Sequence, residues 1–321
     1  MSLISPLDKL KIPIVGSPLF IISNPDLVIA QCKAGIVGSF PCLNAREDEG
    51  QPNMLHIWLK KINEELDKYN QENPDNPAAP YAVNHIVHKS NVRLEQDIDI
   101  CAEWKAPIWI TSLGARPEVN KVAHEAKGIV LHDIINNFFA KKAIEKGADG
   151  LVAVAAGAGG HAGTLSPFAL IQEIREWFTG TLLLSGSIAN GGAVLAAQAM
   201  GADLAYIGSA FIATNEANAD QRYKEMITTS SADDIIYTNL FTGVHGNYLK
   251  GSIEAQGLDP NNLEVSDSSQ MNFSSGASKP KSWKEIWGSG QGISAVKSIL
   301  PTSDLVKRIN HEYIEAKNNL I

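Results

Sequence analysis

The chain has few cysteines, no dense basic run and no long apolar run, and each scarcity removes a class of function. Its three cysteines, Cys32, Cys42 and Cys101, are widely spaced in 321 residues and form no C-x-x-C pair. That pattern suggests neither a disulfide framework nor a cysteine-rich zinc site, and it predicts three reduced, structural thiols. Lys and Arg total 27 against 35 Asp and Glu, a formal net charge of -8. Duplex nucleic acid is therefore not an expected partner, because binding it needs clustered cations that displace counterions from phosphates. Nowhere do about 18 consecutive apolar residues occur, so no membrane partner is expected. The N-terminus MSLISPLDKLKIPIVGSPLF has no basic region ahead of a long apolar one. The expected location is cytoplasmic.

What is present is material for a large core: 44% of residues are hydrophobic and 19% charged. Single barrels commonly occupy roughly 250 residues, so one domain with elaborations fits the length. Eight short apolar runs recur, several followed by a helix-like segment, which is the sequence form of parallel βα units. They read as Ile12–Gly16, Gly35–Phe40, Tyr81–Asn84, Pro107–Ser112, Gly128–His132, Asp149–Val154, Thr181–Gly186 and Asp203–Gly208. LVAV, TLLLSG and LAYIG lack polar alternation, as strands covered on both faces do.

Asn24, Ser166 and Asn190 stand where helix N-caps are expected, with Pro25 and Pro167 at first helical positions. KAG, EKGADG and AMGADL each place a Gly between a helix and a strand, where it can end the helix in the left-handed conformation. The pattern favours a barrel or a doubly wound sheet. Residues 44–79 break the rhythm and read as an insertion after the second strand. From residue 213 the chain is mainly helical and polar and passes through the Ser- and Asn-rich DPNNLEVSDSSQMNFSSGASKPK. The expected organisation is an α/β chain with a barrel over 1–212 and a helical cap or lid over 213–321.

Three segments carry chemistry. VAAGAGGHAGT, residues 154–164, ends the sixth run and surrounds His161 with Gly157, Gly159, Gly160 and Gly163, which allow a backbone to approach a flat ligand closely. Functional residues of a barrel sit at this end of its strands, and an imidazole titrating near neutral pH can serve as a general base. In residues 182–211, Gly186 and Ser187 follow one run and Gly208 and Ser209 end the next. Small-residue turns after the seventh and eighth strands frequently cradle a phosphate. Gly16, Ser17, Pro18 and Leu19 end the first run, where they can border a heteroaromatic ring.

Together these segments resemble the nitronate monooxygenase (2-nitropropane dioxygenase) family over nearly the whole chain. VGSPLF resembles its N-terminal flavin-contacting turn, VNHI its third-strand Asn segment, and AGGHAGT its histidine motif. SGSIANG followed by YIGSAF resembles its paired phosphate turns, and WGSGQGI a Gly-Gln segment near its C-terminus. The resemblance implies a (β/α)8 TIM barrel with noncovalent FMN that oxidises alkyl nitronates, or nitroalkanes, with O2. It also implies that His161 is the catalytic histidine, that Asn84, Gly159 and Gly160 join Gly16–Leu19 around the flavin ring, and that Gly186, Ser187, Gly208 and Ser209 hold its phosphate. The chain departs from the family pattern at three positions: Val154 and Gly157 stand where Gln and Glu are usual, and Ser187 where a second Gly is usual.

Four other histidines differ in what their positions allow. His85 and His88 have H-x-x-H spacing, but at a strand end such side chains point apart, so no metal site is expected. His132 ends the fifth run and is a candidate substrate contact, as are His245 and Tyr248 in VHGNYLK. The expected partners are a small-molecule substrate and O2, and a homodimer is compatible with the pattern. Two other readings stand beside this one: an NAD(P)H-dependent FMN reductase of the enoyl-ACP or quinone reductase kind, and a noncatalytic flavin-binding protein on the same barrel.

Overall fold

The eight apolar runs become eight parallel strands. The computed structural model describes residues 3–47, 53–266 and 285–320. The strands are β1 (Ile14–Gly16), β2 (Gly38–Pro41), β3 (Tyr81–Ile86), β4 (Ile108–Ser112), β5 (Ile129–Ile134), β6 (Gly150–Val154), β8 (Thr181–Ser185) and β9 (Leu204–Ile207). A two-residue strand, β7 (Gly160–His161), stands apart from them. The main sheet runs β1-β9-β8-β6-β5-β4-β3-β2. It closes through a parallel bridge between Val15 and Val37, where Gly16 N–H donates to Val37 O at 2.8 Å. This is a (β/α)8 barrel, as the family resemblance implied, and not the doubly wound sheet that the runs alone left open.

Side-chain alternation divides each strand between two cores. Val15, Val37, Ala82, Ile108, Ile110, Leu131, Val152, Leu183 and Leu204 fill the barrel interior, and Leu7 packs with them from the N-terminal turn. Ile4 N–H in that turn donates to Thr181 Oγ1 at 3.1 Å, which fastens the turn to β8. Residues on the opposite strand faces, Val83, Trp109, Val130, Leu151 and Leu182 among them, pack under the helices.

Helix starts follow the cap expectation in two of three cases. Asn24 accepts from Leu27 N–H ahead of α1 (Pro25–Lys33), and Asn190 accepts from Ala193 N–H ahead of α7 (Gly191–Met200). Ser166 precedes α6 (Pro167–Arg175) without a side-chain cap bond, so there Pro167 at the first position marks the boundary. Gly35, Gly147 and Gly201 all take positive φ after their helices, as the KAG, EKGADG and AMGADL phrases predicted. The other outer helices of the first half are α3 (Leu94–Glu103), α4 (Pro117–Glu125) and α5 (Asn137–Glu145).

The break at 44–79 holds α2 (Met54–Glu72), whose Leu55, Leu59, Ile62 and Leu66 form one buried stripe at helical spacing. α2 lies within the connection from β2 to β3 and packs against α1. After β9 come α8 (Ser209–Ile212), α9 (Gln221–Thr229), β10 (Ile235–Thr238), β11 (Gly246–Leu249) and α10 (Lys250–Ala255). The C-terminal part is thus less helical than its polarity suggested: β10, β11 and β7 form a three-stranded antiparallel sheet. The final helix α11 (Thr302–Asn318) packs on α7 and α1, with Leu305, Val306 and Ile309 buried among Leu27, Val194 and Ala189. Most of the Ser- and Asn-rich stretch lies outside the described residues. Among the described residues, no helix is long and apolar enough to cross a membrane.

Candidate active site at the barrel mouth

The C-terminal strand ends open into a cavity of about 1050 Å³. Asn84, Ser112, Asp133 and Tyr206, from four strands, border it. Asn84 Nδ2 donates to Ser112 Oγ at 2.9 Å and to Ile110 O at 3.1 Å, and Ser112 Oγ donates to Asp133 Oδ2 at 2.6 Å. Asp133 Oδ1 is buried with no hydrogen-bond partner among the described residues. Burial pushes this carboxyl up to about 7, outweighing the Ser112 hydrogen bond that favours the charged form.

The glycine loop after β6 is held against the C-terminal Gly-Gln segment. Gly157, with φ +84°, turns its carbonyl to accept from Ser187 N–H at 3.2 Å and Gln291 N–H at 2.9 Å. A Cβ on Gly159 would lie 2.7 Å from Gly290 N, so the two backbones touch where side chains would otherwise stand. Gly290 N–H also donates to Ser209 Oγ at 2.8 Å. Trp287 stacks on Tyr223 with ring centroids 4.9 Å apart, and the Tyr223 hydroxyl donates to Gly288 O. These contacts tie the two predicted turns, the histidine loop and the C-terminal segment into one wall.

His161 is placed by strand pairing. Gly160 and His161 pair with Asn247 and Gly246 of β11, and Asn247 Nδ2 donates to Ala158 O at 2.6 Å. His161 Nε2 lies 3.0 Å from Thr242 Oγ1. Thr242 Oγ1 also lies 2.9 Å from Val244 O, a geometry in which its hydroxyl can donate there and accept from the Nε2–H tautomer of His161. Burial pushes His161 down to about 4. The imidazole is therefore neutral and proton-accepting at pH 7.

The cavity brings together Ser17, Pro18, Leu19, Asn84, Gly159, Gly160, His161, Gly186, Ser187, Gly208 and Ser209, and His132 also borders it. His132 lies on the strand face opposite Asp133; its Nδ1 is 2.6 Å from Thr111 Oγ1, and burial together with Lys146 lowers it to about 4. Three expected site residues are not on the cavity wall. Gly16 lies against Gln31, whose side chain occupies the space a Cβ would need, while Gly16 O accepts from Ser39 Oγ. His245 stacks on Tyr237 with centroids 5.1 Å apart. Tyr248 packs with Ile253 and Ile286, edge-on to Phe241, and burial pushes its phenol up to about 12.

Sequence reading missed Asp133, Ser112, Tyr206 and Thr242. For Asp133 a signal existed: with Leu131 inside the barrel, period-2 alternation puts Asp133, not His132, on the inner face. Thr242 carried none, since its approach to His161 spans 81 positions. Phe20, Ile21, Leu43, Ile135 and Phe139 give the mouth an apolar side.

The profile described as nitronate monooxygenase matches residues 2–312. The chain is 25% identical over 345 aligned positions to a nitronate monooxygenase of Paraburkholderia phytofirmans, covering 94% of this chain and 92% of that one. Among solved structures, nitroalkane oxidase from Streptomyces ansochromogenes matches with a TM-score of 0.77 at 20% identity, covering 98% of this chain and 99% of that one. FabK from Thermotoga maritima matches with a TM-score of 0.75 at 20% identity, covering 97% and 96%.

Proposed function

This chain belongs to the nitronate monooxygenase family and is an oxidoreductase, and on that premise we propose that it holds FMN in the barrel mouth and uses O2 to convert alkyl nitronates or nitroalkanes to a carbonyl compound and nitrite. One observation carries the reading: two small-residue turns, a buried polar floor and a neutral imidazole border one cavity.

The residues suit FMN. The hydroxyls of Ser187 and Ser209 donate to no acceptor among the described residues and stand at the turns where a phosphate would be held, Gly186–Ser187 and Gly208–Ser209. Ser187 N–H is already given to Gly157 O, so that residue would serve through its hydroxyl. Asp133 Oδ1 lacks a donor, and the N–H edge of a flavin pyrimidine offers one. Val154, where the family pattern has Gln, gives no polar contact; Asn84, Ser112 and Asp133 supply polar atoms instead. Ser17, Pro18, Leu19, Gly159 and Gly160 would border the ring. When bound, the flavin supplies the electron transfer and the reaction with O2.

The protein's own part is proton transfer and positioning. His161 Nδ1 would accept the proton next to the nitro group, while Thr242 holds the Nε2–H and thereby the ring orientation. A buried imidazolium is costly unless an anion forms beside it, and a nitronate is such an anion. The apolar mouth would take the alkyl chain. With His161→Asn, kcat/KM for neutral nitroalkane should fall by about 100-fold or more, and that for preformed nitronate by much less. Equal, small losses on both substrates would refute the assigned role.

A second reading, an FMN reductase fed by NADH or NADPH, is favoured by Lys142, Lys146 and Arg222 on the cavity wall, which could receive a dinucleotide phosphate. Anaerobic bleaching of the flavin by reduced nicotinamide separates the two.

A further inference from the structure

Behind the cavity wall, two of the three cysteines meet a histidine. Cys42 Sγ lies 3.7 Å from Cys101 Sγ and 3.9 Å from His85 Nε2, and the three donor atoms all lie within 4.8 Å of one another. Cys42 follows β2, His85 is on β3, and Cys101 is on α3. All three are buried, and both sulfurs are free thiols.

We propose that Cys42, His85 and Cys101 bind one thiophilic metal ion, with zinc(II) the ion that fits best. A tetrahedral zinc with bonds of about 2.3 Å to sulfur and about 2.0 Å to nitrogen sets its ligands roughly 3.8 Å apart for two sulfurs and roughly 3.6 Å for sulfur and nitrogen. The two separations measured from Cys42 Sγ match those edges. On binding, the two thiols release their protons to solvent and His85 offers its neutral Nε2 lone pair. Two thiolates cancel the charge of a divalent ion, so the site becomes neutral in a dry core.

A second observation points to the same ligand. His85 Nδ1 and Asp97 Oδ2 are both buried and both lack a hydrogen-bond partner among the described residues. Asp97 also bears electrostatically on His85 and is anchored by Arg93 at 2.9 Å. A metal-bound histidine usually gives its other N–H to a carboxylate, which is the role Asp97 would take. Trp109 stacks on the imidazole with centroids 4.9 Å apart and fixes its plane.

The location gives the ion a purpose. Cys42 lies between Pro41 and Leu43, and His85 between Asn84 and Ile86, and those four neighbours line the cavity. A metal on the outer side would tie the ends of β2 and β3 to α3 and stiffen that wall without touching substrate.

Elemental analysis of purified protein, loaded with zinc and passed through a desalting column with a weak chelator, tests this. The native chain and Cys32→Ser should retain one equivalent. Cys42→Ser, Cys101→Ser and His85→Gln should each bind zinc at least about 100-fold more weakly. X-ray absorption on the loaded native protein, which needs no variant, should show two sulfur ligands and one imidazole nitrogen. Zinc retained equally by native and Cys42→Ser protein, none retained by the native chain, or a Cys42–Cys101 disulfide in the loaded protein would overturn the proposal.

Discussion

Gly157 and Ser187 occupy one another's space: a Cβ on Gly157 would overlap Ser187 Oγ and come within 3.0 Å of Gln291 Oε1. Both residues have positive φ, +84° and +57°. The two positions are therefore sterically linked. Gly157→Ala should destabilise the protein by about 1–3 kcal/mol through backbone strain and collision with Ser187. Adding Ser187→Gly should return part of that loss, and thermal unfolding of the two single variants and the double variant measures the coupling. Additive losses would show that the pair is independent.

The phosphate assignment predicts a selective defect. Ser209→Ala should raise the FMN dissociation constant by about 10-fold, the scale of one charge-assisted hydrogen bond, and leave riboflavin binding nearly unchanged. Fluorescence titration with each flavin decides it. Because Ser209 also accepts from Gly290 N–H, an equal loss for both flavins would assign it to holding the wall instead.

His161 and Asp133 contribute to acid stability with opposite signs. His161 is lowered to about 4, so between about pH 4 and 6.5 the unfolded chain binds more protons there and stability falls as pH drops. Asp133 is raised to about 7, so between about pH 4 and 7 the folded chain binds more protons there and stability falls as pH rises. Asp133→Asn should therefore gain stability relative to the native chain as pH goes from about 4 to about 7, by roughly 4 kcal/mol at most. His161→Asn should lose part of the acid sensitivity. Urea unfolding across that range measures both, and parallel pH curves for the native chain and Asp133→Asn would contradict the burial of that carboxyl.

The strands were legible because they are covered on both faces and read as apolar runs, each within a few residues of the strand observed, while their closure into a barrel rather than a doubly wound sheet followed from the family resemblance. The glycine turns were legible because Gly186 and Gly208 sit directly after such runs. What escaped the sequence depends on direction and on long-range approach. Gly16 looked like a ligand turn but is small because of Gln31, which the chain brings back on α1. Tyr248 and His245 stood in a polar motif, but strand pairing turned Tyr248 into a small apolar cluster and left His245 against Tyr237. Cys42 and Cys101 are 59 positions apart, and their sulfurs meet only because α3 packs on β3, the neighbour of β2.

The proposed chemistry places a flavin beside the neutral imidazole of His161, reduced by a nitronate. The most direct measurement is the absorption spectrum of the purified protein under anaerobic conditions, on adding an alkyl nitronate and, separately, NADH or NADPH. The nitronate should bleach the flavin and reduced nicotinamide should not. Bleaching by reduced nicotinamide alone, or a colourless protein that FMN does not restore, would contradict this chemistry.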